Sequence, residues 1–290
     1  MAVSVPHVFA TTPATPAPPA SQLDDNFNAL IAAINAIVVP TASTPRAYLA
    51  GMTLSNDSGT PNSILDIAPG QATDSTNAFT INLPTTITKS TGALWLAGNG
   101  NGGMGNGLTI AATTWYHVFA IINGGLVDCY FDTSFTAANK PSNTTAFRRI
   151  GAILTDGSGN VEPFIQNGDE FVWKTPSVDQ SGVFPGVTQS LYAIRVPVGI
   201  EVMASFRGTA SNAANSSVSF YSPNQSTETI ATQAPGSSLI VVVGLSGNAA
   251  AGQFRILTNL AAQIAAVASD GGLLISIMTD GWTDARGRDA

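Results

Sequence analysis

The chain holds two histidines and one cysteine in 290 residues, and one histidine lies close to the cysteine. His117 sits in TTWYHVFAIING (residues 113–124), and Cys129 sits in DCYFD (residues 128–132) between Asp128 and Asp132. A cysteine nucleophile needs a thiolate, an open cleft and a base oriented by a third group. The spacing here is that of a β-hairpin. Trp115, His117, Phe119 and Ile121 alternate with Tyr116, Val118, Ala120 and Ile122, and both sets are apolar, so the strand is covered on both sides. A three-residue loop, Asn123-Gly124-Gly125, places Phe119 opposite Cys129 and His117 opposite Phe131. A two-residue Asn-Gly turn would instead bring Asp128, Tyr130 and Asp132 onto the His117 face. Apolar matching favours the first register. His117 and Cys129 are then diagonal neighbours in an aromatic cluster, which raises a thiol's pKa. Both residues are expected to be structural.

Other chemistry is weaker still. His7 lies far away in a proline-rich stretch, so no zinc set assembles. DGSGN (residues 156–160) reads as a hairpin turn and lacks the distal glutamate of a calcium loop. GNGNGGMGNG (residues 98–107) reads as a loop. It resembles a phosphate cradle only in composition, because a strand pattern and not a helix follows it. No catalytic, cofactor-binding or metal-binding residue is assigned, and the chain is read as not an enzyme.

Charged residues make up 10% of the chain, against about 25% in ordinary globular domains. The formal charge is −7, and no basic stripe exists to neutralise phosphates, which argues against nucleic acid and anionic membranes as partners. Arg148 and Arg149 are adjacent and point to opposite faces of a strand. A single cysteine permits no intrachain disulfide. The apolar run SSLIVVVGL (residues 237–245) is too short to span a bilayer. Residues 1–20 lack a signal-peptide pattern, so synthesis in the cytoplasm is expected.

Along the chain, residues 1–20 contain five prolines and form an extended arm. Residues 21–39 form a helix, with Ser21 able to cap it and Pro40 to stop it. Leu23, Phe27, Leu30, Ile34 and Ile37 are spaced 4, 3, 4, 3, which is a heptad seam over two heptads, widened by Ile31 and Val38. The seam is either packed on its own domain or on other copies. A helix of this length is marginal alone in water. From residue 47 onward short apolar runs alternate with turn clusters, as in β-sandwiches. The fold expected is mainly β: two antiparallel sandwich-like domains, proximal (residues 40–175) and distal (176–290), divided at the polar stretch 174–190. Runs such as ALWLAG (93–98) and NLAAQIAAVASD (259–270) are assigned to strands, the latter against its alanine content.

The stretch PASQLDDNFNALIAAINAI (residues 19–37) resembles the N-terminal segment of bacteriophage tail and tail-fibre proteins. RAYLAGMTLSNDSGTPNSILDIAPGQATDSTN (46–77), TTWYHVFAIINGGLVDCYFDTS (113–134) with FRRIGAILTDGSGNVEPFIQNGDEFVW (147–173), and LLISIMTDGWTDARGRD (273–289) are similar to stretches of phage virion proteins in the same order. The resemblance implies a structural virion component, homotrimeric, without a cofactor, docked to other virion proteins by its N-terminal end. It leaves open a short fibre that binds host-surface glycan, a connector and a decoration protein. A polysaccharide-cleaving tailspike is a further alternative, though no β-helix repeat is visible. The sequence cannot say whether Trp95, Trp115, Trp173 and Trp282 are core or sugar-stacking residues.

Overall fold

A computed structural model describes residues 20–36, 45–212, 215–227, 230, 239–242 and 249–288. The chain forms two compact units, Met1–Thr44 and Pro45–Ala290. The first contains α1 (Ala20–Ala36). It begins one residue before Ser21, so this residue lies inside the first turn and is not its cap. Residues 37–39 of the expected helix lie outside the described residues.

The second unit is mainly β. Its strands in the first half are β1 (Leu49–Gly51), β2 (Leu54–Asn56), β3 (Ile64–Ile67), β4 (Gly70–Thr73), β5 (Thr80–Leu83), β6 (Ile87–Leu94), β7 (Gly102–Met104), β8 (Trp115–Asn123), β9 (Leu126–Asp132) and β10 (Thr144–Leu154). Those of the second half are β11 (Phe164–Asn167), β12 (Glu170–Trp173), β13 (Val178–Val183), β14 (Ser190–Ala193), β15 (Met203–Ser211), β16 (Ser216–Tyr221), β17 (Leu239–Val242), β18 (Ala249–Leu257), β19 (Gln263–Ala268) and β20 (Leu274–Thr283).

Among the described residues these strands make four sheets. Their orders are β1-β4-β5, β10-β8-β9-β7-β6-β3-β2, β11-β12-β20-β15-β18 with β13 also on β20, and β14-β19-β16-β17. The division expected at residues 175–176 is bridged by hydrogen bonds. The β11–β12 hairpin precedes it in sequence, yet β12 pairs with β20 through Phe171↔Trp282. The apolar core is likewise continuous, running from Met52, Val118 and Ile153 through Phe171 and Trp282 to Phe206, Phe220 and Ile264. Phe171 stacks on Trp282 at 4.9 Å, and Trp115 and Trp173 meet the same indole at 5.4 and 5.1 Å. That aromatic block joins strands from both expected halves.

Two local expectations need correction. The strand drawn over residues 93–98 is the end of β6, which runs from Ile87 and stops at Leu94, although Trp95 N and Leu96 N still donate to Met104 O and Gly102 O. Inside the glycine-rich loop, Gly102–Met104 form β7, parallel to both β6 and β9. Glycine is what permits this. A Cβ on Gly102 would lie 2.1 Å from the Leu94 carbonyl oxygen, and one on Gly103 would lie 2.6 Å from the Phe131 ring. The alanine-rich stretch does hold a strand, β19, entered through a turn in which Ala262 N donates to Asn259 O at 3.0 Å.

Candidate functional site

The hairpin β8–β9 closes with a two-residue turn, Gly124-Gly125, between paired Asn123 and Leu126. Both glycines have positive φ, 56° and 82°, which is the backbone a tight two-residue hairpin turn demands. The three-residue loop and its register are therefore overturned. Phe119 faces Tyr130, Ala120 faces Cys129, and His117 faces Asp132. A shift of one residue moves every side chain to the other face. Cys129 consequently joins Val118, Ala120 and Phe131 in the main core, while Phe119, Ile121 and Tyr130 form a second cluster on the opposite side of the sheet. His117 and Cys129 are not neighbours. Burial, reinforced by the Asp128 charge, pushes the Cys129 thiol far above its ordinary value.

Apolar matching chose the wrong register because it priced Asp128 and Asp132 as solvent-seeking groups. Each is buried and satisfied. Asp128 Oδ2 accepts from Lys89 Nζ at 3.2 Å and from Gly98 N at 2.9 Å, and Oδ1 accepts from Cys129 N at 2.7 Å. Lys89, itself fully buried, also donates to the carbonyls of Leu96 (2.8 Å) and Gly98 (3.1 Å). Asp132 accepts from Ser134 N, Asn139 N and Asn139 Nδ2 at 2.8–2.9 Å. Its carboxylate thus ties the loop after β9 and makes no pair with His117.

The partner of His117 comes from elsewhere. Arg149 on β10 donates from Nε to His117 Nδ1 at 2.9 Å, and its two terminal nitrogens grip Asp284 at 2.8 and 2.5 Å. All three side chains are buried. Because Arg149 can only donate, Nδ1 must accept, and the ring proton resides on Nε2, which donates to Val198 O at 3.1 Å. Burial, aided by the Arg149 charge, lowers the His117 pKa to about 3. Burial works to raise the Asp284 carboxyl, but Arg149 and the Arg286 amide outweigh it and hold it below its ordinary value. Arg286 then threads inward at φ +55°, donating Nε to Ile150 O (2.8 Å) and Nη2 to Gly51 O (2.9 Å) and Met52 O. The segment 284–286 is thereby clamped to β10 and to the β1–β2 junction.

A cleft of about 610 Å³ lies beside this network, lined by Phe119, Phe135, Phe147, Leu257 and Leu260 with Arg149 and Asp284. Arg149 and Asp284 are already engaged with each other. Neither His117 nitrogen has a lone pair left to take a substrate proton, and both Asp284 oxygens are occupied. The arrangement cross-links the fold and offers no activated nucleophile.

The seam residues are placed as follows. On α1, Phe27, Leu30 and Ile31 are 59%, 41% and 53% exposed in the single chain. The side chains of Leu23 and Ile34, and all of Ile37, lie outside the described residues, as do residues 1–19. Of the tryptophans, Trp173 and Trp282 are buried, and Trp115 and Trp95 are half-buried against other aromatic groups. Lys89, Asp284 and Arg286 were not singled out in the sequence, and Arg149 was named only as an arginine pointing away from Arg148. The one signal was rarity: a lysine and arginines inside strands of a chain so poor in charge. No protein-family model and no curated protein matches the chain.

Proposed function

We propose that this chain is a self-associating structural subunit of a bacteriophage virion, fibre-like, trimeric through α1 and docked to other virion proteins by residues 1–20. The observation that carries the self-association is the α1 seam. A 17-residue helix is marginal alone in water, and this one turns Phe27, Leu30 and Ile31 outward. Burying side chains of this size is worth about 1.5–3 kcal/mol each, enough to hold the helix if other copies cover them. The stapled β unit suits a part that must stay rigid: buried charges form internal ties such as Lys89–Asp128 and Arg149–Asp284. The resemblance of four ordered stretches to phage tail proteins gives the virion context. Host-surface glycan binding belongs to this reading as the task of the distal connections; residues 209–217 read as a loop, but β15 runs to Ser211 and β16 begins at Ser216, which leaves residues 212–215 and the stretch 222–238, parts of both lying outside the described residues.

Light scattering on the purified chain at micromolar concentration tests the association. The expected mass is a multiple of three chains of 29.7 kDa. Phe27→Asp with Leu30→Asp should reduce it three-fold without loss of β-sheet signal. A mass that the double substitution leaves unchanged would sink the seam.

A further inference from the structure

Among the described residues, β18 is a terminal strand of the sheet β11-β12-β20-β15-β18. Its nine residues, AAAGQFRIL, pair with β15 without a register shift, from Met203↔Leu257 to Ser211↔Ala249. No described residue pairs along its other side. Alternate amides and carbonyls of such an edge point outward, ready to accept another strand. Soluble proteins guard long edges with proline, lysine or a bulge, and β18 has none of these. Its single charge, Arg255, is drawn across the sheet to Thr283 Oγ1 at 2.9 Å. On the core face, Phe254 lies 5.4 Å from Phe206 and 5.1 Å from Phe220, and it is only half-buried at the end of that aromatic row.

We propose that β18 pairs antiparallel with β18 of a second copy of this chain, about a two-fold axis at Gln253. The strand is self-complementary in that register. Its first half is small (Ala249, Ala250, Ala251, Gly252) and its second half is large (Phe254, Arg255, Ile256, Leu257). Two-fold pairing sets Ala249 opposite Leu257, Ala250 opposite Ile256, Ala251 opposite Arg255 and Gly252 opposite Phe254. Each large side chain meets a small one, and the two guanidinium groups face alanines and not each other. The two Phe254 rings become diagonal neighbours on the core face, within aromatic reach, so the row is continued across the axis. An isologous contact closes on itself, using one edge per chain. The contact uses no residue of α1 and does not depend on the seam.

Site-directed cross-linking of the full-length chain tests the register. Residues directly opposite in an antiparallel pair have Cα atoms about 4.5–5.5 Å apart, within the span a disulfide bridges. Two copies of residue 251 would stand four residues apart along the ladder, about 13 Å, which a disulfide cannot span. Cys129 is buried and does not compete. Under mild oxidation, Gln253→Cys should give a covalent pair at twice 29.7 kDa on a non-reducing gel, and Ala251→Cys should give none. Equal cross-linking at both positions, or none at Gln253→Cys, overturns the proposal. The Gln253→Cys product should persist when Phe27→Asp and Leu30→Asp are added; its loss there would make the contact a by-product of the helix seam and would also overturn it. Gln253→Lys, which sets two ammonium groups face to face on an exposed surface, should halve the solution mass, and an unchanged mass speaks against the pairing.

Discussion

His117 is fixed in its neutral form by a donor on one nitrogen and an acceptor on the other, and this makes stability depend on pH. In the unfolded chain its imidazole takes a proton near 6.5; in the folded chain it does so only near 3. Between those values the unfolded state binds more protons, so stability falls as pH falls, by up to about 1.4 kcal/mol per pH unit. Asp284, held below its ordinary carboxylate value, acts in the same direction but at lower pH. Denaturant midpoints should therefore drop between pH 6.5 and 4.5, and His117→Gln should flatten that slope; a wild-type midpoint constant over this range refutes the assignment. Asp284→Asn, which leaves the Arg149 guanidinium buried without its counter-charge, should cost about 3–5 kcal/mol. Cys129→Ala should cost about 1–2 kcal/mol, as a small truncation in a packed core. Native Cys129 should resist thiol reagents on the time scale of hours; rapid labelling would contradict its burial.

At the scale of elements, β7 shows how strand identity can hide in composition. Its residues Gly102 and Gly103 have no β propensity, and their glycine-rich surroundings spell a loop. They are strand because only glycine lets the chain pass between the Leu94 carbonyl and the Phe131 ring. Gly103→Val should thus disrupt the β6–β7–β9 link and lower the thermal midpoint by several degrees, whereas Gly157→Val, where a Cβ meets nothing within 4 Å and φ is not positive, should disturb it less. A larger effect at Gly157 would contradict the close-approach argument. The long strands β8, β9, β10 and β20 were legible because their apolar runs sit between turn residues, and α1 was legible from its 4, 3, 4, 3 spacing. The hairpin register was not, because Lys89 and Asn139, which satisfy Asp128 and Asp132, are unmarked in the sequence. The His117–Arg149–Asp284 chain was invisible for the same reason: Arg149 and Asp284 are 135 residues apart, and neither carries a local pattern that announces the other.

For the whole molecule, the division of labour follows the two units. Pro45–Ala290 is tied together from within: Arg286 donates to carbonyls on β1, β10 and the β1–β2 junction. The arm, by contrast, carries five prolines and no Asp, Glu, Lys or Arg in residues 1–20. Proline lowers the entropy lost on ordering, and an extended neutral segment covers much partner surface for its length. In the proposed reading, attachment falls to the arm, self-association to α1 and β18, and the rigid frame to the β unit. Deleting residues 2–20 should leave the thermal midpoint and solution mass of the purified protein unchanged while abolishing its incorporation into particles. Both readouts are needed, because a chain that merely misfolds would also be missing from particles. A truncated chain with native mass and midpoint that still incorporates normally would move the docking role to the β unit, where the apolar cleft beside Phe135 and Leu260 would be the surface to mutate next.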